Sequence, residues 1–268
     1  MDGRLKIAVC FFGITRRLKE HTLDSIQKCL LGPIARHDPD YKRFAHFNTM
    51  DRVDNPRAGE QNISVDPQEF RLLNCDAAAH TDQHRLNGEI DFEAIRKFGD
   101  AWGDGFRSLQ NLLCQLYSLN QVTELLLRAQ ERFDVVIYSR ADLRFEKEIV
   151  LPNVRPRTLY TAWFGKGGGL NDRFALGDSG TMVRYGQRGA LARQYCEETG
   201  KPLHAERFLL WYCRKHRLRH LDLTSIDFCR VRATGAIPAW DLIVRTRRKD
   251  RYNRALRRLQ NWMLGQRT

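Results

Sequence analysis

The sequence predicts an α/β protein whose central sheet is mostly parallel and is flanked by helices. Short apolar runs of strand length alternate along the chain with segments in which apolar residues recur at helical spacing, and no internal repeat is evident. A chain of 268 residues, 42% of them hydrophobic, can bury one sizeable core. We therefore expect one main domain over residues 1–240, followed by an appendage over residues 241–268.

The predicted strands are short apolar runs bounded by turn residues. The first, residues 7–12, is apolar at every position and ends before Gly13, which suits a turn into a helix. Residues 51–62, which contain Pro56 and Gly59, are predicted to form a loop, and residues 63–103 to form short helices and turns. The strands predicted in chain order are residues 7–12, 41–49, 133–139, 157–163, 173–176 and 227–233.

Helices are predicted where apolar residues recur every three or four positions. The longest covers residues 106–132, where leucines dominate one face. Another begins at Asp178 or Ser179, because either side chain can cap a first turn. The predicted helices are residues 23–31, 106–132, 178 or 179 to about 198, and 205–215.

The composition excludes some classes of protein. No stretch approaches the roughly 18 consecutive apolar residues of a membrane-spanning helix. The apolar run at residues 7–12 is too short for the core of a signal peptide, so export is not expected. The seven cysteines form no CxxC pair and stand mostly among apolar neighbours, which favours buried thiols in a reducing compartment. A cytoplasmic protein is therefore expected.

The formal charge of +13 is concentrated at the C-terminus. Residues 245–268 contain nine basic residues and one acid, and apolar residues recur among them at helical spacing. This pattern predicts a basic amphipathic helix over residues 241–268, which either lies on an anionic membrane surface or docks on the protein or a partner. The rest of the chain is only mildly basic and contains no nucleic-acid module, so nucleic acid is not an expected partner.

The segment FDVVIYSRADLRF, residues 133–145, carries the main functional signal. Its apolar strand runs directly into Arg140, Asp142 and Arg144. Ligands of open α/β sheets bind beyond the carboxyl ends of the strands, where an acid can ligate Mg²⁺ or Mn²⁺ and guanidinium groups can hold a diphosphate. The alternative is a strand-end turn in which Asp142 only pairs with one of the arginines.

Five segments resemble bacterial glycosyltransferases of the GT-A type, which assemble lipopolysaccharide or capsular polysaccharide. The resemblance covers roughly residues 5–235 and implies a GT-A-like, Rossmann-like catalytic domain that uses a nucleoside diphosphate sugar, with a UDP-sugar as the leading candidate. The segments that carry it are, in order, KIAVCFFGITRRL, WGDGFRSLQNLLCQLYSL, FDVVIYSRADLRF, NDRFALGD and HAERFLLWYCRKH.

The resemblance implies which residues bind the donor. Asp142 takes the place of the acid that binds a Mn²⁺ or Mg²⁺ ion bridging the donor diphosphate, although Ala141 and Leu143 flank it and a second aspartate is missing. The first strand becomes a wall for the nucleotide; alternatively, Gly13 only makes a turn and the arginines after it are solvated. The donor-binding residues expected on this basis are Gly13, Thr15, Arg16, Arg140, Asp142 and Arg144.

Asp172 and Glu206 are the candidates for catalysis. An inverting transferase needs a general base that removes the proton of the acceptor hydroxyl. Asp172 follows a glycine-rich stretch at residues 165–169, which is expected to be a flexible loop that orders over the substrate. Each acid also has an ordinary interpretation, because Asp172 can stabilise a turn and Glu206 can favour the positive end of the helix it opens.

The expected function is hexose transfer from a nucleoside diphosphate sugar to a saccharide acceptor, preferably lipid-linked, in the synthesis of surface polysaccharide. The expected location is the cytoplasm, peripheral at the inner face of the membrane. Two alternatives remain at this point. One is a basic nucleic-acid-binding protein acting through its tail, and the other is a nucleotidyltransferase, which needs a second metal-ligating carboxylate near Asp142.

Overall fold

Strands of the central sheet and two small ribbons account for all the β-structure in the described part of the chain. A computed structural model of the protein describes residues 5–88 and 91–242. Its strands are β1 (Ile7–Gly13), β2 (Lys42–Thr49), β3 (Arg52–Asn55), β4 (Glu60–Ser64), β5 (Ala77–Asp82), β6 (Val135–Arg140), β7 (Leu143–Phe145), β8 (Thr158–Ala162), β9 (Phe174–Gly177), β10 (Arg219–Leu223) and β11 (Phe228–Arg230). The central sheet has the order β10-β8-β9-β6-β1-β2-β5, and the ribbons are β3–β4 and β7–β11. Neighbouring strands of the central sheet are parallel, except that β9 runs antiparallel to β6 and β8.

The order of the strands reverses between β1 and β6. The chain adds β2 and β5 on one side of β1 and then returns to place β6 on the other side, with Phe12 opposite Arg140. Connections that leave two adjacent parallel strands in opposite directions open a crevice at the carboxyl ends of those strands. The topology therefore places a ligand crevice where β1 and β6 end.

Helical segments fill the connections between the strands. The α-helices are α1 (Leu18–His21), α2 (Leu23–Ser25), α3 (Gly32–His37), α4 (Phe92–Arg96), α5 (Arg107–Arg128), α6 (Ser179–Gln187), α7 (Ala192–Thr199) and α8 (Ala205–Lys215). A π-helical segment, Ile26–Leu31, joins α2 to α3, and short 3-10 segments cover Pro56–Ala58, Glu69–Leu73, Gln83–Gly88 and Arg188–Leu191.

Apolar side chains on both faces of the sheet form the core. Successive side chains of β1 point to opposite faces. Val9 and Phe11 therefore pack in one cluster with Ile26, and Phe12 packs in another with Leu119 of α5. This arrangement explains why every position of β1 is buried.

Helix α5 fixes the ends of two central strands. It connects β5 to β6 and packs against β1 and β2. The hydroxyl of Ser118 donates a hydrogen bond of 2.6 Å to the carbonyl of His46 and accepts one of 2.9 Å from the backbone N–H of Gly13. The helix thereby holds the carboxyl end of β1 in place at the crevice.

The predicted fold class is confirmed, because the central sheet is mostly parallel and helices flank it. The helices predicted over residues 106–132 and 205–215 are found as α5 and α8. Asp178 caps α6, since its carboxylate accepts a hydrogen bond of 3.1 Å from the N–H of Thr181.

Two predictions about local elements were wrong, one strand is shorter than predicted, and one strand was missed. The predicted loop at residues 51–62 forms most of the β3–β4 hairpin, in which Gly59 turns the chain with a φ of 70°. The alanine run at residues 77–79 begins the edge strand β5 rather than a helix. The strand predicted over residues 227–233 is the short β11, which pairs with β7 outside the central sheet, and the edge strand β10 was missed.

The basic amphipathic helix predicted over residues 241–268 lies, from residue 243 onward, outside the described residues. None of the described helices combines the length and the hydropathy that crossing a membrane requires.

Candidate functional site

A cleft opens at the carboxyl ends of β1, β2 and β6. It contains about 940 Å³ of empty space, part of it open to solvent. Six arginines and two carboxylates contribute to its lining, together with polar side chains from β2 and α5. The charged and polar lining residues include Arg16, Asn48, Arg57, Asn111, Gln115, Arg140, Asp172, Arg173, Glu206, Arg230 and Arg232.

The floor of the cleft is the end of β1. Gly13 has a φ of 102°, a conformation that side chains other than glycine rarely adopt, and the space beside its Cα is open. Asn48, at the end of β2, donates a hydrogen bond of 2.8 Å to the carbonyl of Cys114, while its buried Oδ1 has no partner among the described residues. The floor thus offers an open glycine and an unused buried acceptor to a ligand.

One side of the cleft, which we call the back wall, consists of Arg16, Glu60, Arg140, Asp142 and Arg232. Arg140 grips the carboxylate of Asp142 through both Nε, at 2.8 Å from Oδ1, and Nη2. Arg16 lies between the two buried acids, with its Nη1 bonded to Glu60 and its Nε 3.4 Å from Asp142 Oδ2. The carboxylates thereby hold the guanidinium groups that line the cleft.

Asp142 itself is not part of the cleft lining. Only 2% of its surface is exposed, and Arg140 occupies both of its carboxylate oxygens. Burial opposes the ionisation of Asp142, but the charges of Arg140 and Arg16 outweigh it and hold its pKa below the ordinary value. The carboxylate is therefore an ionised partner of two arginines and lies behind the surface of the cleft.

A divalent cation does not fit these surroundings. A cation on Asp142 would have to displace Arg140 and would stand beside Arg16. In the described part of the chain, no group of three His, Cys, Asp or Glu side chains is arranged to hold a metal ion. The predicted metal-ligand role of Asp142 thus conflicts with the contacts that its carboxylate makes.

Arg232 has the weakest pairing in the back wall. Its Nη1 lies 3.9 Å from Glu60, which is beyond hydrogen-bond distance. Glu60 accepts hydrogen bonds from Arg16 and from the backbone N–H of Ala233. Burial and the nearby charges of Arg16 and Arg230 lower the pKa of Arg232 to about 10, despite the attraction of Glu60. Arg232 is therefore a charged side chain whose contact with an acid is long.

Arg230 reaches the cleft beside Arg232. Its Nε and Nη2 bind the carboxylate of Asp241 at 3.0 and 2.6 Å, and its backbone N–H binds the same group. Asp241 is not part of the cleft lining. Another carboxylate thus holds a cleft arginine from outside the cleft.

A second group, which we call the side wall, consists of Asp172, Arg173 and Glu206, which line the cleft, and His204, which contacts Glu206. Asp172 Oδ2 accepts a hydrogen bond of 2.9 Å from Gln115, whose own Oε1 accepts one of 3.0 Å from Arg140. Burial disfavours the charged form of Asp172, but Arg173, Arg140 and Gln115 together hold its pKa below the ordinary value. Asp172 is therefore ionised at neutral pH and faces the cleft.

Glu206 stands at the start of α8, next to a histidine. Its Oε1 accepts a hydrogen bond of 2.8 Å from Arg173, and its Oε2 lies 3.2 Å from Nδ1 of His204. The ring of His204 stacks on Trp102 with 5.1 Å between centroids. Burial lowers the pKa of His204, although Glu206 partly opposes this effect. A neutral imidazole thus adjoins one of the two cleft carboxylates.

The glycine-rich stretch at residues 165–169 packs against the start of α8. A Cβ at Gly169 would lie 1.9 Å from the carbonyl oxygen of Glu206, so only glycine fits there. The carbonyl of Gly165 accepts a hydrogen bond of 2.9 Å from Arg173. These glycines position the side wall through close packing.

The structure separates the predicted site residues into two groups. Gly13, Arg16, Arg140, Asp172 and Glu206 line the cleft together, whereas Thr15, Asp142 and Arg144 do not. The side chain of Arg144 instead pairs with Glu146 at 3.2 Å.

Sequence reasoning missed Arg230, the last residue of β11, and Arg232, two positions further along the chain. Arg230 and Arg232 stand two positions apart in a strand-like segment, and that spacing places both side chains on one face. The alternation was therefore visible in the sequence. The two arginines come close to the end of β6 because β11 pairs with β7, and no local pattern indicates that pairing.

Comparisons with known proteins find distant likenesses among solved structures. No model of a known protein family matches the sequence, and no curated protein matches it. Among solved structures, the chain is similar to mouse xyloside xylosyltransferase 1 in its apo form, with a TM-score of 0.43 and 13% sequence identity. The likeness covers 81% of this chain and 84% of that chain.

Proposed function

We propose that the protein is a glycosyltransferase that moves a hexose from a nucleoside diphosphate sugar to a saccharide acceptor. The observation that supports this proposal best is the cleft at the β1–β6 crevice, where six arginines meet two carboxylates. An anionic donor and a hydroxyl-bearing acceptor together need both kinds of group. The sequence resemblance to GT-A enzymes favours the same reaction.

The arginines suit the donor diphosphate. Planar guanidinium groups bind phosphate oxygens through two parallel hydrogen bonds, and this geometry gives both affinity and orientation. Arg140 and Arg232 come from the back wall, and Arg230 lies next to them. The open space beside Gly13 then accommodates the nucleoside. UDP-sugars are the first donors to test.

The carboxylates suit the acceptor. In a direct displacement, the acceptor oxygen attacks the anomeric carbon while the bond from that carbon to the diphosphate oxygen breaks. The electron pair leaves with the diphosphate, whose new charge the arginines stabilise, and the acceptor proton passes to a base. Because its pKa is lowered, Asp172 is a weak base that suits holding acceptor hydroxyls. Glu206 is the proposed general base.

A release assay tests this function. Purified protein is incubated with a panel of nucleoside diphosphate sugars and saccharide acceptors, and the free nucleoside diphosphate is measured. Acceptor-dependent release with one donor is expected. If no donor reacts or binds and the protein instead binds oligonucleotides in a salt-sensitive way, a nucleic-acid-binding function replaces the proposal.

We further propose that the acceptor is lipid-linked and belongs to surface polysaccharide synthesis, with the enzyme working at the inner face of the membrane. This part rests on the basic amphipathic pattern of residues 245–268. Removing those residues is expected to release the protein from anionic liposomes in a flotation assay. Unchanged flotation of the truncated protein would assign membrane contact to another surface or to none.

A further inference from the structure

The carboxylates near the crevice are already occupied by protein partners. Arg140 uses both oxygens of Asp142. In the cleft itself, Arg173 and His204 face the two oxygens of Glu206, while Gln115 binds Asp172. A hard divalent cation needs carboxylate oxygens that it can approach without a competing positive charge. Each of these acids has an arginine beside it.

We infer that arginines take the place of the divalent cation, so that the protein binds its donor diphosphate through Arg140, Arg230 and Arg232 without a metal ion. This inference rests on the proposed function, because it concerns the donor of that reaction. The ligand chemistry is a pyrophosphate group that carries a nucleoside.

The guanidinium groups are arranged for such a ligand before it arrives. Asp142 holds Arg140 through two contacts, and Asp241 holds Arg230 in the same way. Neither acid lines the cleft, so each fixes its arginine from outside. Side chains that are already ordered lose little conformational freedom on binding, and this raises affinity for a ligand of matching shape.

The charge balance at Arg232 points to an anionic ligand. Among the described residues, the guanidinium of Arg232 makes one ion pair, a long contact of 3.9 Å with Glu60. Burial and two neighbouring arginines lower its pKa despite the attraction of Glu60 and Asp142. A diphosphate beside Arg232 would relieve this repulsion. Replacing Arg232 by an uncharged residue should therefore weaken the binding of an anion without destabilising the empty protein.

Calorimetric titration of the full chain with UDP, ADP, CDP and GDP tests the inference, in EDTA and again in Mn²⁺. The variants are Arg232→Met, which keeps an unbranched side chain but removes the guanidinium charge, and Arg57→Met, at a cleft arginine whose side chain is 53% exposed. The control is Arg144→Met, since Arg144 lies outside the cleft. Thermal melting of each empty protein is measured alongside.

One nucleotide is expected to bind in EDTA with a Kd within about threefold of its value in Mn²⁺, because no cation takes part. Arg232→Met is expected to weaken that binding by about tenfold or more and Arg57→Met to weaken it by a smaller factor, with Arg144→Met unchanged. The melting temperature of empty Arg232→Met should equal or exceed that of the wild type.

Two results would overturn the inference and leave the proposed function intact. They are binding that appears only with Mn²⁺, and binding in EDTA that neither cleft variant weakens. Absence of binding to every nucleotide under both conditions would overturn the proposed function as well.

Discussion

The back wall and the side wall of the cleft contain similar residues but expose different groups. In the back wall, Glu60 and Asp142 are buried behind the arginines, so the groups that line the cleft are guanidinium groups. In the side wall, Asp172 and Glu206 themselves line the cleft, and Arg173 supports them. The role of an acid in this site therefore depends on which side of its arginine it lies. An acid that an arginine separates from the cleft holds that arginine in place for ligand binding. An acid that itself lines the cleft can contact the substrate.

The largest expected effect concerns the side wall. Glu206→Gln removes the proposed proton acceptor and keeps the shape, so turnover should fall by about a hundredfold to ten-thousandfold while the Kd for the nucleotide changes little. Steady-state kinetics and calorimetry measure the two quantities. Glu198→Gln, at an exposed acid paired with Lys215, is the matched control and should retain activity. Equal turnover in wild type and Glu206→Gln would remove Glu206 from catalysis.

Substitutions in the back wall should lower the free energy of unfolding. Asp142→Ala leaves Arg140 and Arg16 without their buried partner, and breaking such a pair costs about 3–5 kcal/mol of unfolding free energy. Arg144→Ala, two positions along the chain, breaks the more exposed pair with Glu146 and should cost about 1 kcal/mol or less. Urea denaturation compares the two. Similar losses in both variants would mean that Asp142 is not the buried anchor described above.

The buried ring of His46 should make the stability of the protein depend on pH, because protonating it in the folded state is unfavourable. Its ring lies 3.1 Å from Ser118 Oγ and from Thr81 Oγ1, and burial, helped by the charge of His80, lowers its pKa to about 4 from 6.5. The unfolded chain therefore takes up the proton first, and stability is lost as the pH falls from 6.5 toward 4. The loss is about 3 kcal/mol.

Urea denaturation across this pH range checks the prediction for His46. His46→Gln should be less stable near pH 7, but it should lose about 3 kcal/mol less than the wild type on acidification to pH 4. If the unfolding free energies of the two proteins fall equally between pH 7 and pH 4, His46 is not the titrating group.

The smallest expected effect concerns Asp241, which holds Arg230 in place from outside the cleft. Asp241→Asn weakens that hold, so the protein should bind the same nucleotide roughly twofold to fivefold less tightly in calorimetry. Tighter binding in this variant would instead mean that Asp241 competes with the ligand for Arg230 and does not order it.

Much of the fold could be predicted because its strongest signals are local. Strand β1 and helix α5 are long, buried and regular, so their apolar patterns identify them without knowledge of their partners. The edge strands β5 and β10 have mixed exposure and carry small or polar residues, and only pairing with a neighbouring strand makes them strands. Local propensity cannot supply that information.

The candidate site could be predicted only in part for a related reason. Gly13, Arg140 and Asp172 lie at or beside the ends of strands that the sequence identifies, and position alone brings them to the cleft. Whether Asp142 faces the cleft or stands behind Arg140 depends on the direction of its side chain. The sequence contains no signal for Glu60, because its role arises from a contact with Arg16 across 44 positions.

A crystal structure of the protein soaked with UDP in a metal-free buffer would show whether arginines alone hold the diphosphate. We expect the diphosphate in the cleft, with phosphate oxygens about 3 Å from guanidinium nitrogens of Arg140 and Arg232 and with Asp142 still bound to Arg140. UDP bound elsewhere on the protein, or a diphosphate that reaches Asp142 only after Arg140 has moved away, would contradict this expectation.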